Sequence, residues 1–497
     1  MMRIVIVALL ALLAFPAYAV CPIVTEGGVQ KVTCDQIFTG DIIFDGAVSV
    51  PGGITDPSMA KKTTGNMTLY VREAGDDAND CLTVGTACRQ IQRPVNLVPR
   101  IISDGDDVLI DVGAGSFVAF NANGFTLGIG STFAIRGTLG LATGLTGRNT
   151  GTRTGSGSIG YHTYFDDSDE ADRWVPDELA GKLAWCSGQH QVIITNTATR
   201  VEVEHTTGCF GTYEIREQKT LLTGSGALGY GPVEITNIKA PTWTGFTIEN
   251  LKTTGSTAVG FLLYDATGEV LYCHASGQWY NFAIGQATRA ARVVDAFCGS
   301  TGIACYAFFR AGGVGGALEA PSAERVVAVN TTGAGFMLIQ SVFARLEYAY
   351  AANSGNNAGL VVEGLHGAQV RYGEFRNNVI GILIDASQID IVSAGSVLWL
   401  KDSIVDGNDT DGIAAYDGSH VFLDGVTGEG NIDVGVQLFT GATLDRDGST
   451  LTLTGDNGDF TLNDGADVFE WSTELGSSGD IVINVENGCR AWWRAAP

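Results

Sequence analysis

Glu363 and Asp385 occupy the same place in two copies of one short phrase, GLVVE at Gly359 and GILID at Gly381, 22 residues apart. Counting four residues from each glycine puts both carboxyls on the outward side of a short strand. If the two strands stack, the carboxyls stand ~5 Å apart. Two acids that close repel each other's charge and split their pKa values. They could serve as acid and nucleophile of a retaining glycosidase, or as oxygen ligands of Ca2+. The plain alternative is a pair of solvated acids on an acidic surface. His366 and Arg371 follow on the copy that carries Glu363, and Asp390 on the next. In that setting Asp390 is a third candidate catalytic acid, and His366 and Arg371 are candidate substrate contacts. Asp406, Asp409 and Asp411 place further oxygens in turns and are the candidate Ca2+ ligands. They lack the full calcium-loop spacing with its terminal Glu, and Asp-Gly steps are also ordinary turn formers. His274 and His420 stand alone.

These positions need a scaffold that repeats. GFLLY begins at Gly260, AIGQ at Ala283, AFFR at Ala307 and GFMLI at Gly335; after Gly359 and Gly381 come GIAAY at Gly412 and GVQLF at Gly435. The steps are 23, 24, 28, 24, 22, 31 and 23 residues, a period that signals a solenoid. Each unit has a four-residue strand with alternating faces, a second apolar segment, and Asn at a turn (Asn353, Asn377, Asn378, Asn408, Asn431). Short strands between turns, without a 3.6 period, predict an all-β chain wound as a parallel β-helix. One coil alone cannot hide its apolar face. Stacking at ~4.8 Å pairs each strand with the next, so the same inward pattern must recur.

Composition agrees. The chain has 67 Gly and only 17% charged residues, with net charge −25. Such a surface repels nucleic acid and anionic membranes. A polyuronate would need a locally cationic or calcium-bridged groove. Residues 1–19 have the basic start, apolar run and Ala17-Tyr18-Ala19 ending of a secretory signal peptide. No later stretch is long and apolar enough to span a membrane. The expected location is extracellular, periplasmic or on the cell surface. Ten cysteines in such a chain favour disulfides, with Cys21–Cys34, Cys81–Cys88 and Cys186–Cys209 as plausible pairs.

The segment from Thr68 to Pro99 carries Tyr70-Val71, Gly75-Asp76-Asp77-Ala78-Asn79 and Gln90-Ile91-Gln92 in order, before the strand Asp107–Val112. It resembles the opening of right-handed parallel β-helix proteins of the pectin-lyase-like superfamily, including phage tailspikes and tail fibres and secreted β-helix repeat proteins. The resemblance implies a right-handed solenoid with an N-terminal capping helix, shortened here by Pro94 and Pro99. It spans about Thr68 to Leu444. It implies a polysaccharide or glycan partner laid along an outer sheet, cleaved in some members by a lyase or glycoside hydrolase. Trimers occur among similar spikes, and nothing in the sequence requires one. NDTDGI at Asn408 superficially matches a polygalacturonase segment, but the other motifs of that family and of pectate lyases are absent. A non-catalytic adhesin or a structural surface protein therefore stays open beside the enzyme.

The expected organisation is a leader at 20–67, capping helix and first coils at 68–139, irregular coils with lateral insertions at 140–243, regular coils at 244–449, and a C-terminal cap at 450–497. The Gly/Thr/Ser-rich and acidic stretches within 140–243 suit loops that wall a ligand groove.

Overall fold

The computed structural model describes residues 62–167 and most of 173–446, the strands Ile23–Glu26 and Val29–Val32, and strand backbone between Thr452 and Trp493. The signal segment, Cys21, Cys34, His366, Asp390, Asp447 and Cys489 lie outside the described residues. The chain divides into two units, 1–56 and 57–497. In the first, the two named strands form an antiparallel pair.

The second unit winds as a right-handed parallel β-helix, with the handedness that governs crossovers between parallel strands. Each regular coil has three strands. In the coil of the opening echo, Ala358–Glu363 lies on one long sheet, then Gly367–Arg371 and Glu374–Arg376 lie on a second. We call the faces carrying the latter two strands the first and second ladders, and the face carrying Ala358–Glu363 the third. Leu360 pairs with Ile382, and Glu363 with Asp385, so the two echoes are stacked neighbours. A Cβ on Gly359 would come within 2.7 Å of Asn378 Nδ2 and 2.9 Å of the Gly381 oxygen, which explains the glycine at the head of each phrase.

The register differs from the sequence expectation at two anchors. Gly260 is in step with Asn281, and Cys305 with Gly335, so Ala283 and Ala307 sit two residues too far along. A shift of two preserves the inward and outward alternation, which is why the pattern still read correctly.

Columns of like residues hold the coils. Phe261, Phe282, Tyr306 and Phe336 stack ring on ring inside the helix, with centroids 4.9–5.1 Å apart. At one corner, buried Asn378, Asn408 and Asn431 form a ladder. Asn408 Nδ2 donates to Asn431 Oδ1 at 2.8 Å, and the Asn378 backbone N–H donates to Asn408 Oδ1 at 3.1 Å. Each amide thereby satisfies backbone groups of the preceding coil, which would otherwise be buried without partners.

Near the start, Met67–Val71 pairs with Asp107–Val112, and a six-residue helix spans Gln92–Leu97. Ile91, Val95 and Val98 share the main core with Leu69 and Val71. Asp77 Oδ1 accepts the Arg89 and Gln90 N–H groups, and Cys81–Cys88 closes the loop between them. Cys186–Cys209 forms as well, and so does Cys298–Cys305; Cys273 is buried and free. From Leu139 to Gln218 the chain leaves the coils and builds an antiparallel sheet, returning to parallel pairing at Thr220. Parallel pairing then continues through Arg490–Trp493. Among the described residues, no helix is long and apolar enough to cross a membrane.

Candidate functional site

The first two ladders meet at a bend where one residue per coil takes a left-handed backbone. The column reads Tyr272 (φ 52°), Asp295 (48°), Arg325 (50°), Tyr348 (52°), Tyr372 (56°) and Asp402 (45°). Bulky residues avoid that conformation at a cost of about 1–2 kcal/mol each, so the stack must hold them there. Their side chains line the bend. Tyr348 and Tyr372 stack at 4.8 Å, and Arg325 Nε donates to Asp295 Oδ1 at 2.7 Å.

On one side of this column, the antiparallel sheet packs against the second ladder. Leu183, Val192 and Ile194 meet Phe297, Val327, Val329 and Ala352. A buried ionic knot ties the same junction: His162 lies 3.1 Å from Glu374 and 3.3 Å from Glu202, and Arg376 Nε is 3.0 Å from Glu374. Burial opposes charge on His162, but the hydrogen bonds to Glu202 and Glu374 outweigh it and lift its pKa to about 9. Burial pushes the Glu204 carboxyl well above its ordinary value. The antiparallel sheet is thus fixed as a wall beside the bend.

On the other side, the outward positions of the first ladder form a polar strip. Glu269, Arg292, Ser322, Arg345, Gln369, Trp399 and Phe422 follow one another in register on successive coils. Beside them run Glu324, Glu347, Arg371 and Lys401. A hollow of about 280 Å³ opens on this strip, lined by Trp243, Arg292, Glu324, Arg345 and Glu347 among others. The Arg292 guanidinium sits 4.4 Å from the Trp243 ring centroid and 3.6 Å from Glu269. It also pairs with Glu324. Burial raises the Glu269 carboxyl, and Arg292 only partly offsets this, leaving its pKa at about 7. A carboxyl in that range can both give and take a proton at neutral pH. Trp399 and Phe422 stack face to face at 5.4 Å further along, offering a flat apolar surface.

The residues singled out in the sequence fall elsewhere. Glu363 and Asp385 are neighbours on the third face, both part-exposed. Burial raises the Glu363 carboxyl, and Asp385 adds to it. Tyr416 and Phe439 stack at 4.3 Å on the next coils. Arg371 belongs to the same coil but to the first ladder, where it donates to the Tyr372 hydroxyl at 2.7 Å. The structure does not bring it to Glu363. Asp406 lies near Arg376 at 3.7 Å, while Asp411 is buried and raised to about 6 by burial and then by Asp433. Asp409 sits in a turn, its N–H donating to the Asn378 oxygen. Among the described residues, no group of three or more His, Cys, Asp or Glu side chains is arranged to hold a metal. His274 is half-buried against Phe297 and Gly181 at the wall, and His420 contacts Thr443.

Trp243, Glu269, Arg292, Glu324 and Arg345 escaped the sequence reading. For all but Trp243, which lies in a short turn, the available signal was the alternation of the strand that follows each glycine-led strand; a longer spacing from Phe309 to Ser322 obscured its period.

No protein-family model and no curated protein matches the chain. Solved structures that resemble it include the Azotobacter vinelandii mannuronan C-5 epimerase AlgE4 A-module, 12% identical over 75% of this chain and 91% of that one, with a TM-score of 0.38. A GH136 lacto-N-biosidase from Eubacterium ramulus is 11% identical over 84% and 67%, with a TM-score of 0.35. A mutant of the periplasmic alginate epimerase AlgG is 10% identical over 79% and 76%, with a TM-score of 0.34. At these values the fold assignment rests on the strand register itself.

Proposed function

We propose that this chain binds an extracellular or periplasmic polysaccharide along the first ladder and processes it by proton transfer through Glu269. The observation that carries the reading is that Arg292 and Arg345, in one outward column, and Arg371 and Lys401, in the column beside it, gather on one outer face of the coils. In a chain of net charge −25, four cations gathered on one face mark a place where anionic groups are accepted. Coils rise by ~4.8 Å, close to the length of one sugar residue, so a glycan laid along the strip meets one coil per residue. Trp243 and the Trp399–Phe422 stack supply apolar faces for sugar rings, and the interleaved Glu residues accept hydroxyl hydrogens. A uronate-bearing polysaccharide fits this mixture best. Three disulfides agree with an oxidising compartment.

A second placement, at Glu363 and Asp385, has the stacked carboxyls and the neighbouring Tyr416–Phe439 pair in its favour. Calcium at Asp406, Asp409 and Asp411 has no geometric support comparable to either.

The test is a glycan panel of alginate, polygalacturonate, xylan and dextran, scored for binding and for released or altered products. Wild type is expected to bind an acidic member. Arg292→Ala and Trp243→Ala should each weaken that binding roughly tenfold or more, about 1.4 kcal/mol. Unchanged affinity in both variants, with loss in Glu363→Gln with Asp385→Asn, would move the site to the third face. Binding without any product would leave an adhesin.

A further inference from the structure

The antiparallel sheet has a ligand-sized feature of its own. Thr150, Glu214, Trp185 and His190 stand side by side across four strands, each in register with the next. A hollow of about 510 Å³ opens over the first three of these, lined by Thr150, Thr152, Trp185, Thr212, Tyr213 and Glu214 among others, with His190 packed behind Trp185. Gly151, beside Thr150, is fixed by the buried core on the other side of the sheet. A Cβ on Gly151 would come within 2.4 Å of the Tyr213 hydroxyl and 2.5 Å of Asp167, so only glycine fits there. Cys186–Cys209 pins the strand that carries Trp185.

The polar groups are fixed before any ligand arrives. Arg216 donates to Glu214 at 2.7 and 2.9 Å, and its guanidinium lies 4.8 Å from the Trp185 ring centroid. His190 packs against Trp185 at 4.5 Å. Burial, and then the charge of Arg216, keep His190 neutral at ordinary pH, with a pKa of about 4. The row thus offers an aromatic ring, threonine hydroxyls, a neutral imidazole and an ion pair. That combination recognises the alternating apolar faces and hydroxyls of sugars. The row also abuts the bend column, because His190 meets Tyr272 at 5.4 Å.

We propose that the Trp185 row is a second sugar subsite, on the wall rather than the coils, which holds distal residues of the same polysaccharide chain. This rests on the glycan-binding reading of the first ladder. Two sites that share one chain bind long ligands more tightly than short ones, because the second contact becomes intramolecular.

The experiment measures affinity for alginate and polygalacturonate oligosaccharides of increasing length, from dimers upward. Trp185→Ala should leave the shortest bound oligosaccharides within about twofold of wild type and weaken long ones roughly tenfold. Trp185→Phe, which keeps an aromatic plane in the same strand, should recover most of the long-chain affinity and guards against misfolding. Trp243→Ala should weaken short and long chains alike. Equal long-chain affinity in wild type and Trp185→Ala would overturn the subsite while leaving the first-ladder reading in place. Wild type that binds no oligosaccharide of either kind would overturn both.

Discussion

Replacing Tyr306 with alanine is expected to destabilise the coils by about 3–5 kcal/mol, the range for deleting a large buried aromatic ring. Tyr306 is 1% exposed and lies between Phe282 and Phe336, nearly parallel to both. Its hydroxyl donates to the Ala296 oxygen at 2.8 Å, with the Val327 oxygen 3.2 Å away. The substitution therefore opens a cavity, ends two ring contacts and strips a hydrogen bond from a buried carbonyl. Stacked coils cannot close such a gap without shortening the column, so little relaxation offsets the loss. Tyr306→Phe removes only the hydroxyl and should cost about 1–2 kcal/mol. Urea unfolding followed by circular dichroism reads both. An alanine variant with the wild-type midpoint would mean that the column does not carry the stack.

Glu269→Gln is expected to retain glycan binding and to lower turnover by about 10²–10⁴-fold, the usual contribution of a positioned proton carrier. Glutamine keeps the size and can still hydrogen-bond, but it cannot exchange a proton. The pH profile gives an independent reading. With a carboxyl near pKa 7, the protonated form dominates below neutrality and is lost as pH rises through about 7. If Glu269 acts as the acid, wild-type rate falls over that interval, and the residual rate of the variant shows no such limb. The same group bears on stability with matching sign. A carboxyl raised above its unfolded value binds more protons when folded, so its contribution is present below the unfolded pKa and is lost as pH rises through about 7. Equal turnover in wild type and Glu269→Gln would remove Glu269 from the chemistry.

The stacked architecture was legible because the packing itself repeats. Gly359 and Gly381 recur since side chains and carbonyls of adjacent coils crowd each glycine, and Asn378, Asn408 and Asn431 recur since each amide serves the backbone of the preceding coil. Where that crowding is met differently, the pattern weakens: Asn281 and Cys305 stand where other coils have glycine, and the anchors there slipped by two. The wall between Leu139 and Gln218 left no period, because antiparallel partners such as Gly140 and Glu217 lie far apart in sequence. Glu363 and Asp385 were found as neighbours because they follow the repeating glycine. Arg292, Glu324 and Trp243 face outward, where the stack imposes no identity, and they converge only when distant stretches of the sequence stack on neighbouring coils. The carboxyl of Glu269 owes its shift to burial under neighbouring coils, which no local pattern reports.

Hydrogen exchange with and without a bound acidic oligosaccharide locates the ligand most directly. Slowed exchange is expected in Gly268–Leu271, in the first half of Ala291–Gly299 and in Ser322–Val329, the strands that carry Glu269, Arg292 and Glu324. Protection confined to Ala358–Glu363 and Ile380–Asp385, with the first ladder unchanged, would contradict the placement.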